Sequence, residues 1–587
     1  MFRWLPILFV AVTWLWASPD TSWTEIPRPM VEDSSALFRV DSIEFEIHDA
    51  FDDAKSHTAA DRFVYRLMNR LHYETREGVV RKLLLFQTGD TISLSQLIES
   101  ERVLRSQKIL STARIESRKG QLGENIIHVV TSDNWTTSIP ISLTRPSGHW
   151  IGYVGLLESN IVGLGQSVGL YYAHESERDR YILEYGNAHF LYPNNRLNAS
   201  WEITSDGYRG SLFVGKPFLS RSRNEWAYTL EALSVKRDEG RYWSDATLPA
   251  RVWYDSSNAP KARTYQPGVA TNPLLVWKGV RDDSVSFRTG RSFGSGIRTF
   301  VRGTYDFRRT AVQQEPVPYL IQYAEDGRFW TLDSSKVALD SFMNRKQDSR
   351  LGIAITMSRL NYTKLRNYHK AKWIEDVDKG WSLSGQMSRN AIALGASDNR
   401  WFCSGGAAMN VGSGWAHLML RSFMESYLRA EDFTAEEIYG RLNGEFMIKP
   451  SEQFSTVLSS LMDGWRRAPV GEQLYLDGFS GMSGLPNYLL AGQGRYLVGL
   501  EQRWFPSFEI GTIVPVFSAF VNAGQVFPTI DQLESRDFQV VTGLGLHLSM
   551  SKSVDGVVNH LNLSWPVRGP YPRSYKPDFS VLASISL

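Results

Sequence analysis

From about residue 140 to its last residue, the sequence consists largely of short segments in which apolar and polar residues alternate. Three clear examples are Leu197–Thr204, Leu351–Met357 and Phe579–Leu587. Successive side chains of a β-strand point to opposite faces, so this period predicts strands with one apolar and one polar face. Helical periodicity is largely missing here, and most of the chain is therefore predicted to be β-structure.

A soluble β-sandwich or propeller has the same alternation, so the period alone leaves those architectures open. Two features favour a transmembrane antiparallel β-barrel over residues 140–587: charged residues oppose many apolar faces, and no blade-length repeat occurs. In lipid, strands cross only as a closed barrel, because every backbone polar group needs an internal partner. At ~10 residues per crossing, we expect about sixteen strands. The charged stretches Gln313–Asp326 and Arg359–Lys372 are then expected in long loops on one side.

Composition argues against several classes of function. The 64 Lys and Arg residues nearly balance the 62 Asp and Glu residues, which argues against a nucleic-acid partner. The single cysteine, Cys403, excludes an intramolecular disulfide and a Cys-rich metal site. The 11 histidines are scattered, and no G-x-S-x-G or H-E-x-x-H motif occurs. We therefore expect a protein that is not an enzyme and that has no catalytic residues, no cofactor and no metal.

Residues 1–18 have the pattern of a secretory signal peptide. Arg3 precedes a short apolar run from Trp4 to Ala17, which is too short to span a bilayer comfortably as a helix. An uncleaved anchor is the alternative interpretation. Residues 19–36 then form a linker, and we expect the mature chain to be exported.

Residues 37–135 have a different, mixed pattern that predicts a small α+β domain in the order β-α-α-β-β. Thr75 is a candidate cap of the first helix, and Ser93 with Gln96 forms a possible capping box for the second. Strands are predicted at Phe38–Ile47, Ala113–Ser117 and Asn125–Val130.

Several motifs in this order resemble a known family. The segment Thr75–Asp90 and the helix Leu97–Leu104 are similar to a POTRA domain. The segment Gly155–Gly165 resembles the first hairpin of the BamA/TamA outer-membrane assembly and translocation barrels, the bacterial surface antigen family. Near the end, the motifs follow the order of that family's inward-folded loop region: Leu476-Asp-Gly478, Gly481-Met-Ser-Gly484, Gly499-Leu-Glu501, Phe520-Val-Asn-Ala-Gly524 and Gly543-Leu-Gly545.

The sequence departs from the family at two positions of that region. Ser483-Gly484 stands where the family usually has Arg-Gly, and Asn522 stands where a later strand usually has aspartate. Replacing both partners of a buried ion pair with neutral groups costs far less than removing one. We therefore expect the loop to enter the lumen, held by neutral hydrogen bonds and by Gly481 and Gly484. A misplaced alignment is the alternative. The tripeptide Val301-Arg302-Gly303 is interpreted as part of a strand with a lumen-facing arginine.

The resemblance implies an outer-membrane factor that assembles or inserts β-rich client proteins. Clients would pair with an open edge of the POTRA sheet, either Ala113–Ser117 or Phe38–Ile47. A seam between the first strand near Ile151–Glu158 and the last strand would open laterally. Its expected residues are Gly152, Gly155, Phe579 and Leu587.

The implied partners are unfolded client proteins, outer-membrane lipid and periplasmic accessory proteins. The implied location is the bacterial outer membrane, with the N-terminal domain in the periplasm. A two-partner-type secretion pore for one dedicated protein and a passive porin are the alternative functions.

Overall fold

The computed structural model describes most residues between 37 and 586. Residues 1–36 and 587 lie outside the described residues, as do several internal segments, the longest of which are 52–62, 244–273, 334–345, 528–537, 551–557 and 569–577. The predicted signal peptide, the predicted linker and Leu587 therefore fall outside the description. Among the described residues, no helix is long and apolar enough to cross a membrane.

The core of the N-terminal unit, as far as the structure describes it, is a three-stranded sheet packed against two helices. Its elements are β1 (Leu37–Arg39), β2 (Ser42–His48), α1 (Glu77–Leu83), β3 (Thr91–Ser93), α2 (Leu94–Arg105), β4 (Leu110–Lys119) and β5 (Asn125–Asp133). The central strand β5 pairs in parallel with β2 and antiparallel with β4. Val80, Leu83, Leu97, Leu104 and Ile127 are among the buried residues of its core.

Two predicted helix caps have different outcomes. The capping box of α2 is confirmed, because Ser93 and Gln96 exchange side-chain and backbone hydrogen bonds. The prediction for Thr75 is wrong: Arg76 is the N-cap residue of α1, and no side chain caps it. The Thr75 backbone N–H instead donates to the buried carboxylate of Asp133 at 2.6 Å. Thr75 thus belongs to a long-range contact that helical periodicity does not reveal.

The rest of the described chain forms a closed antiparallel barrel. Its first half comprises β6 (Thr137–Thr144), β7 (Ile151–Glu158), β8 (Gln166–His174), β9 (Asp179–Asn187), β10 (Arg196–Thr204), β11 (Gly207–Lys216), β12 (Trp226–Trp243), β13 (Leu274–Phe293), β14 (Arg298–Val312), β15 (Tyr319–Tyr323), β16 (Phe329–Asp333) and β17 (Lys346–Arg359). After the small hairpin β18 (Tyr362–Arg366) and β19 (Ile374–Asp378), it continues with β20 (Trp381–Asn390), β21 (Arg400–Gly412), β22 (Ala416–Arg429), β23 (Ala435–Ser451) and β24 (Phe454–Arg466). After a second small pair, β25 (Leu474–Leu476) and β26 (Leu490–Gly492), it ends with β27 (Gly494–Trp504), β28 (Ile513–Phe527), β29 (Gln539–Met550), β30 (Val558–Arg568) and β31 (Asp578–Ser586).

The ring has more strands than the sequence predicted. The closed sheet contains 22 strands among the described residues. Two of them, β15 and β16, form a hairpin beside β13, whereas β14 pairs directly with β17. The ring itself thus has 20 strands, and the expected number of about sixteen is too low. The estimate assumed long connections, but Ser205 and Asp206 alone join β10 to β11.

Consecutive connections lie at opposite ends of an antiparallel barrel. We call the end that carries the N-terminal unit the inner end, and the opposite one the outer end. Of the residues that the structure describes in these two stretches, those of β15 follow the outer end of β14, whereas those after Arg359 follow the inner end of β17. The expectation that these two charged stretches share one side is therefore wrong, because a single strand, β17, separates them.

The alternation predicted from the sequence separates the two faces of the wall. On β17, Leu351 and Ile353 point outward and are 58% and 60% exposed, whereas Asp348 on the opposite face is buried. On β10, outward-facing Trp201 and Ile203 are more than half exposed, and inward-facing Glu202 is buried. The outer surface of the barrel is therefore apolar and the lumen is lined with polar groups.

Candidate functional site

Two segments fill parts of the lumen, one from each end. Residues 474–492 connect β24 to β27 at the outer end, and we call them the outer insert. Residues 361–379 connect β17 to β20 at the inner end, and we call them the inner insert. Together with the contact between the N-terminal unit and the barrel, the two inserts make up the candidate functional site.

The outer insert packs against the inner face of the last strands. Its residues Leu476, Met482 and Leu485 are at most 2% exposed and form an apolar cluster with Val541 of β29. In the register of the sheet, Val541 lies opposite Asn522 of β28, so both side chains share the lumen face. The insert is thus folded inward against the wall.

Asn522 contacts the outer insert directly. Its amide Nδ2 donates a hydrogen bond of 3.2 Å to the carbonyl oxygen of Gly481. Gly481 has a φ of +106°, a backbone conformation that favours glycine. Gly499 leaves room for this arrangement, since a Cβ there would lie 2.7 Å from Asn522 Oδ1. Ser483 and Gly484, the other two predicted loop residues, lie outside the described residues.

An arginine of the wall also holds the outer insert, and the sequence interpretation missed it. Arg495 of β27 donates through Nη1 to the carbonyl oxygen of Tyr475 at 2.9 Å. Its other nitrogens bind the buried carboxylate of Asp463 on β24 at 2.8 and 3.0 Å. Arg441 of β23 reaches the same carboxylate at 3.0 Å. The cation that anchors the insert therefore lies on the wall, and a loop carbonyl is the acceptor.

The inner insert is a hairpin that crosses the lumen. It leaves the wall between β17 and β20, yet its buried residues Leu365 and Val377 form a cluster with Met447 of β23 and Val457 of β24. Residues 368–370 and 372–373 of its turn lie outside the described residues. Because β23 and β24 are several strands away from β17, the hairpin covers part of the inner mouth of the barrel.

Polar contacts tie the inner insert to the far wall through its main chain. Lys449 of β23 is 2% exposed and donates through Nζ to the carbonyl oxygen of Asn367 at 2.9 Å. The backbone N–H of Ala371 donates to Ser549 Oγ of β29 at 3.1 Å. Ala371 is also buried in a cluster with Phe505, Val514 and Val516.

A buried polar junction connects the N-terminal unit to the first inner turn of the barrel. His72 and the Thr75 N–H both bind Asp133 Oδ2, at 3.0 and 2.6 Å, and the Asp133 side chain has no exposed surface. Asn160, in the turn between β7 and β8, donates to Thr75 Oγ1 at 2.8 Å and accepts the Gly165 N–H at 2.7 Å. The motif Gly155–Gly165 thus includes the docking turn for the N-terminal unit.

The close approach at this junction requires a glycine. Gly163 has a φ of +70°, and a Cβ at this position would lie 2.1 Å from the carbonyl oxygen of Glu74. Its own carbonyl oxygen accepts the Arg76 N–H at 3.0 Å. Any larger residue would push the N-terminal unit away from the turn.

Two ionisable groups at the inner end are perturbed by their surroundings. Partial burial, and then the carboxylates of Asp49 and Asp133, raise the pKa of Glu74. Burial, and then the positive charges of Lys82 and Arg196, lower the pKa of His189 to about 4. His189 lies in the turn between β9 and β10, and its neutral ring accepts the Asn194 N–H at 3.3 Å.

The ring closes at a different pair of strands from the one predicted. The last strand, β31, pairs with β6 from Ser580↔Thr144 to Ser586↔Ser138. The predicted first strand is β7, so Gly152 and Gly155 lie one strand away from the closure. Phe579 pairs with Leu563 of β30 rather than across the closure.

The predicted glycine Gly155 faces an interruption in the sheet. The register between β6 and β7 omits Ile139 and Pro140 and resumes at Ile141↔Val154. Proline has no N–H to donate to a neighbouring strand, and Pro140 lies within this gap. The register places Pro140 opposite Gly155. The interruption therefore lies between β6 and β7, whereas the ring closes between β31 and β6.

Comparisons with known proteins find similar solved structures. No protein-family model and no curated protein matches the sequence. BamA from Haemophilus ducreyi lacking POTRA domains 1–3 is 11% identical, with a TM-score of 0.35, and the match covers 93% of this chain and 84% of that one. CdiB from Acinetobacter baumannii is 11% identical, with a TM-score of 0.39 and coverage of 99% and 97%. CdiB from Escherichia coli is 10% identical, with a TM-score of 0.37 and coverage of 100% and 98%.

The chain is thus similar to BamA and CdiB barrels.

Proposed function

We propose that the chain is an outer-membrane factor of the BamA/TamA type that inserts or translocates β-rich client polypeptides. In this proposal residues 1–18 are a signal peptide, 19–36 a linker and 37–135 a periplasmic POTRA domain, and the membrane-spanning barrel begins with β6 at Thr137 instead of at the predicted residue 140. The proposal requires no catalytic group and no cofactor. Clients, outer-membrane lipid and periplasmic accessory proteins are the partners.

One observation carries the proposal. A barrel with an apolar exterior is obstructed from both ends by inserts, and a small sheet whose edge strand β2 pairs only with β5 among the described residues is fixed at its inner mouth. A passive porin needs a permanently open lumen, and it has no use for a docked α+β unit. An open sheet edge binds an extended polypeptide through main-chain hydrogen bonds, with little demand on its sequence.

The two edge strands of the small sheet, β2 and β4, differ in whether a side chain already binds their outward N–H groups, and this difference favours one of them as the client site. The N–H of Ile115 in the middle of β4 donates outward to the Glu101 carboxylate of α2 at 3.0 Å. A client strand on β4 must displace this carboxylate. We therefore propose β2, Ser42–His48, as the client edge. Glu101→Ala should leave client binding unchanged, whereas a gain in client affinity would favour β4.

The alternative, a secretion pore for one dedicated protein, is favoured by the inner insert. A removable obstruction in the lumen suits a polypeptide that passes through the barrel better than one that leaves through its wall. Depleting the protein and measuring the outer-membrane proteome separates the candidates. Loss of many barrels indicates assembly, loss of one exported protein indicates secretion, and altered permeability alone indicates a porin.

A further inference from the structure

We propose that the wall surface beneath the inner insert is a binding site for extended polypeptide, and that the insert occupies it until a client segment replaces it. This inference rests on the proposed handling of clients. We call this surface the seat, and its residues come from four strands and one turn of the far wall: Met447, Lys449, Val457, Phe505, Val514, Val516 and Ser549.

The seat recognises main-chain groups. Lys449 Nζ binds a carbonyl oxygen of the insert at 2.9 Å, and Ser549 Oγ accepts a backbone N–H at 3.1 Å. Every polypeptide carries such carbonyl and N–H groups, so these contacts do not depend on the sequence that is bound. The seat therefore does not need the insert's own sequence to make them.

The seat also offers apolar surface within a polar lumen. Met447, Val457, Val514 and Val516 are at most 6% exposed, and Leu365, Val377 and Ala371 of the insert are packed against them. Removing the insert would leave this surface facing water, which is unfavourable. A client segment with apolar residues at alternate positions supplies the same cover, and alternation is the property of strands that build barrels.

The N-terminal unit touches the insert where it leaves the wall. The guanidinium of Arg102 in α2 lies 4.8 Å from the centre of the Tyr362 ring in β18. Helix α2 therefore links the N-terminal unit to the insert. The contact gives the domain a direct route to loosen the insert.

Peptide binding tests the seat. Residues 361–379 are replaced by a Gly-Ser linker, and the purified protein is titrated in detergent with two fluorescent peptides, one with the sequence of residues 360–380 and one with the sequence of residues 578–587. The second peptide is a strand of a barrel and stands in for a client. Both are expected to bind. Lys449→Met should weaken both about tenfold, because a charge-assisted hydrogen bond is lost.

The matched control is Arg421→Met, which removes an exposed cation from the same lumen wall on β22. It should leave both affinities unchanged. Binding of the 360–380 peptide alone would show that the seat is a structural contact for the insert, and would overturn the proposal. The proposal would also be overturned if neither peptide binds, or if Arg421→Met weakens binding as much as Lys449→Met does.

A covalent lock tests the same proposal in the full chain. In a Cys403→Ser background, Ala371→Cys with Ser549→Cys joins the insert to the seat, and each single cysteine variant serves as control. Client insertion into liposomes should stop when the pair is oxidised and return on reduction. If the oxidised protein still inserts clients, the seat proposal falls while the proposed function stands. If the unlocked protein inserts no client, the proposed function fails, and the peptide titration still decides the seat.

Discussion

The outer and inner inserts are held by similar contacts, a wall cation that donates to a main-chain carbonyl oxygen and an apolar cluster, but the two cations differ in their surroundings. The outer insert is tied to Arg495, whose charge is balanced by the fully buried carboxylate of Asp463. The inner insert is held by apolar packing and by two hydrogen bonds of its main chain. Lys449 donates to one of its carbonyl oxygens, and one of its backbone N–H groups donates to Ser549. The ion pair lies within the wall and holds Arg495 in place, and removing one of its partners is costly. We therefore expect the outer insert to be permanent and the inner insert to be exchangeable.

The largest expected effect comes from breaking the anchor of the outer insert. Arg495→Met removes the bond to Tyr475 and a partner of Asp463, which we expect to cost about 3 kcal/mol of unfolding free energy. Urea unfolding in lipid vesicles measures this loss. The double variant Arg495→Met/Asp463→Leu should recover most of the stability but leave the insert accessible to protease. Equal stability of the single variant and the wild type would contradict a charge-based anchor.

A smaller effect is expected at the inner insert, and of a different kind. Leu365 is 2% exposed, and Leu365→Ala should weaken the packing of the hairpin by about 2 kcal/mol. Because the hairpin can leave the lumen, we expect higher single-channel conductance in planar bilayers with little change in the unfolding free energy of the barrel. A loss of barrel stability without a change in conductance would show that the two inserts are equally permanent.

Mild acid is expected to act on the inner end through His189. Its folded-state pKa of about 4 lies below the ordinary value of 6.5, so its contribution to stability is complete above pH 6.5 and is lost as the pH falls towards 4. At pH 5 the loss should be about 1–2 kcal/mol. Comparing thermal unfolding at pH 7.5 and 5.0 for wild type and His189→Gln measures it. The variant should show a smaller shift between the two pH values, and an identical shift would contradict a role for this ring.

The smallest effect is expected from the neutral contact of the outer insert. Asn522→Ala removes a single hydrogen bond to Gly481 and should cost about 0.5–1 kcal/mol. Urea unfolding checks the value beside the Arg495 variant. A cost as large as that of Arg495→Met would mean that the neutral bond, and not the charge, fixes the insert.

The sequence was sufficient to predict the barrel and the direction of its faces. Alternation on β17 assigned Leu351 and Ile353 to the apolar exterior, and both are exposed there. The strand β6 was missed as the first of the ring, although Ile139, Ile141 and Leu143 alternate, because Pro140 interrupts the pattern. The error moved the closure by one strand and misplaced Gly152 and Gly155.

Long-range contacts were the part that periodicity could not reveal. His72 and Asp133 are 61 residues apart, and Lys449 and Asn367 are 82 apart. The sequence analysis placed Arg359–Lys372 in a long loop because the stretch is charged, and most of the inner insert falls within it. Only the fold shows that Leu365 of this basic segment is buried against the far wall.

The contact between Gly163 and Glu74 has a mechanical consequence. A hydrogen-bonded turn without space for a single methyl group behaves as a stiff joint, so the N-terminal unit and the first hairpin of the wall should rotate together as one lever. A load applied to the far end of that unit would then act as torque on β7 and β8, next to the residues Ile139 and Pro140, where the pairing of β6 with β7 is interrupted.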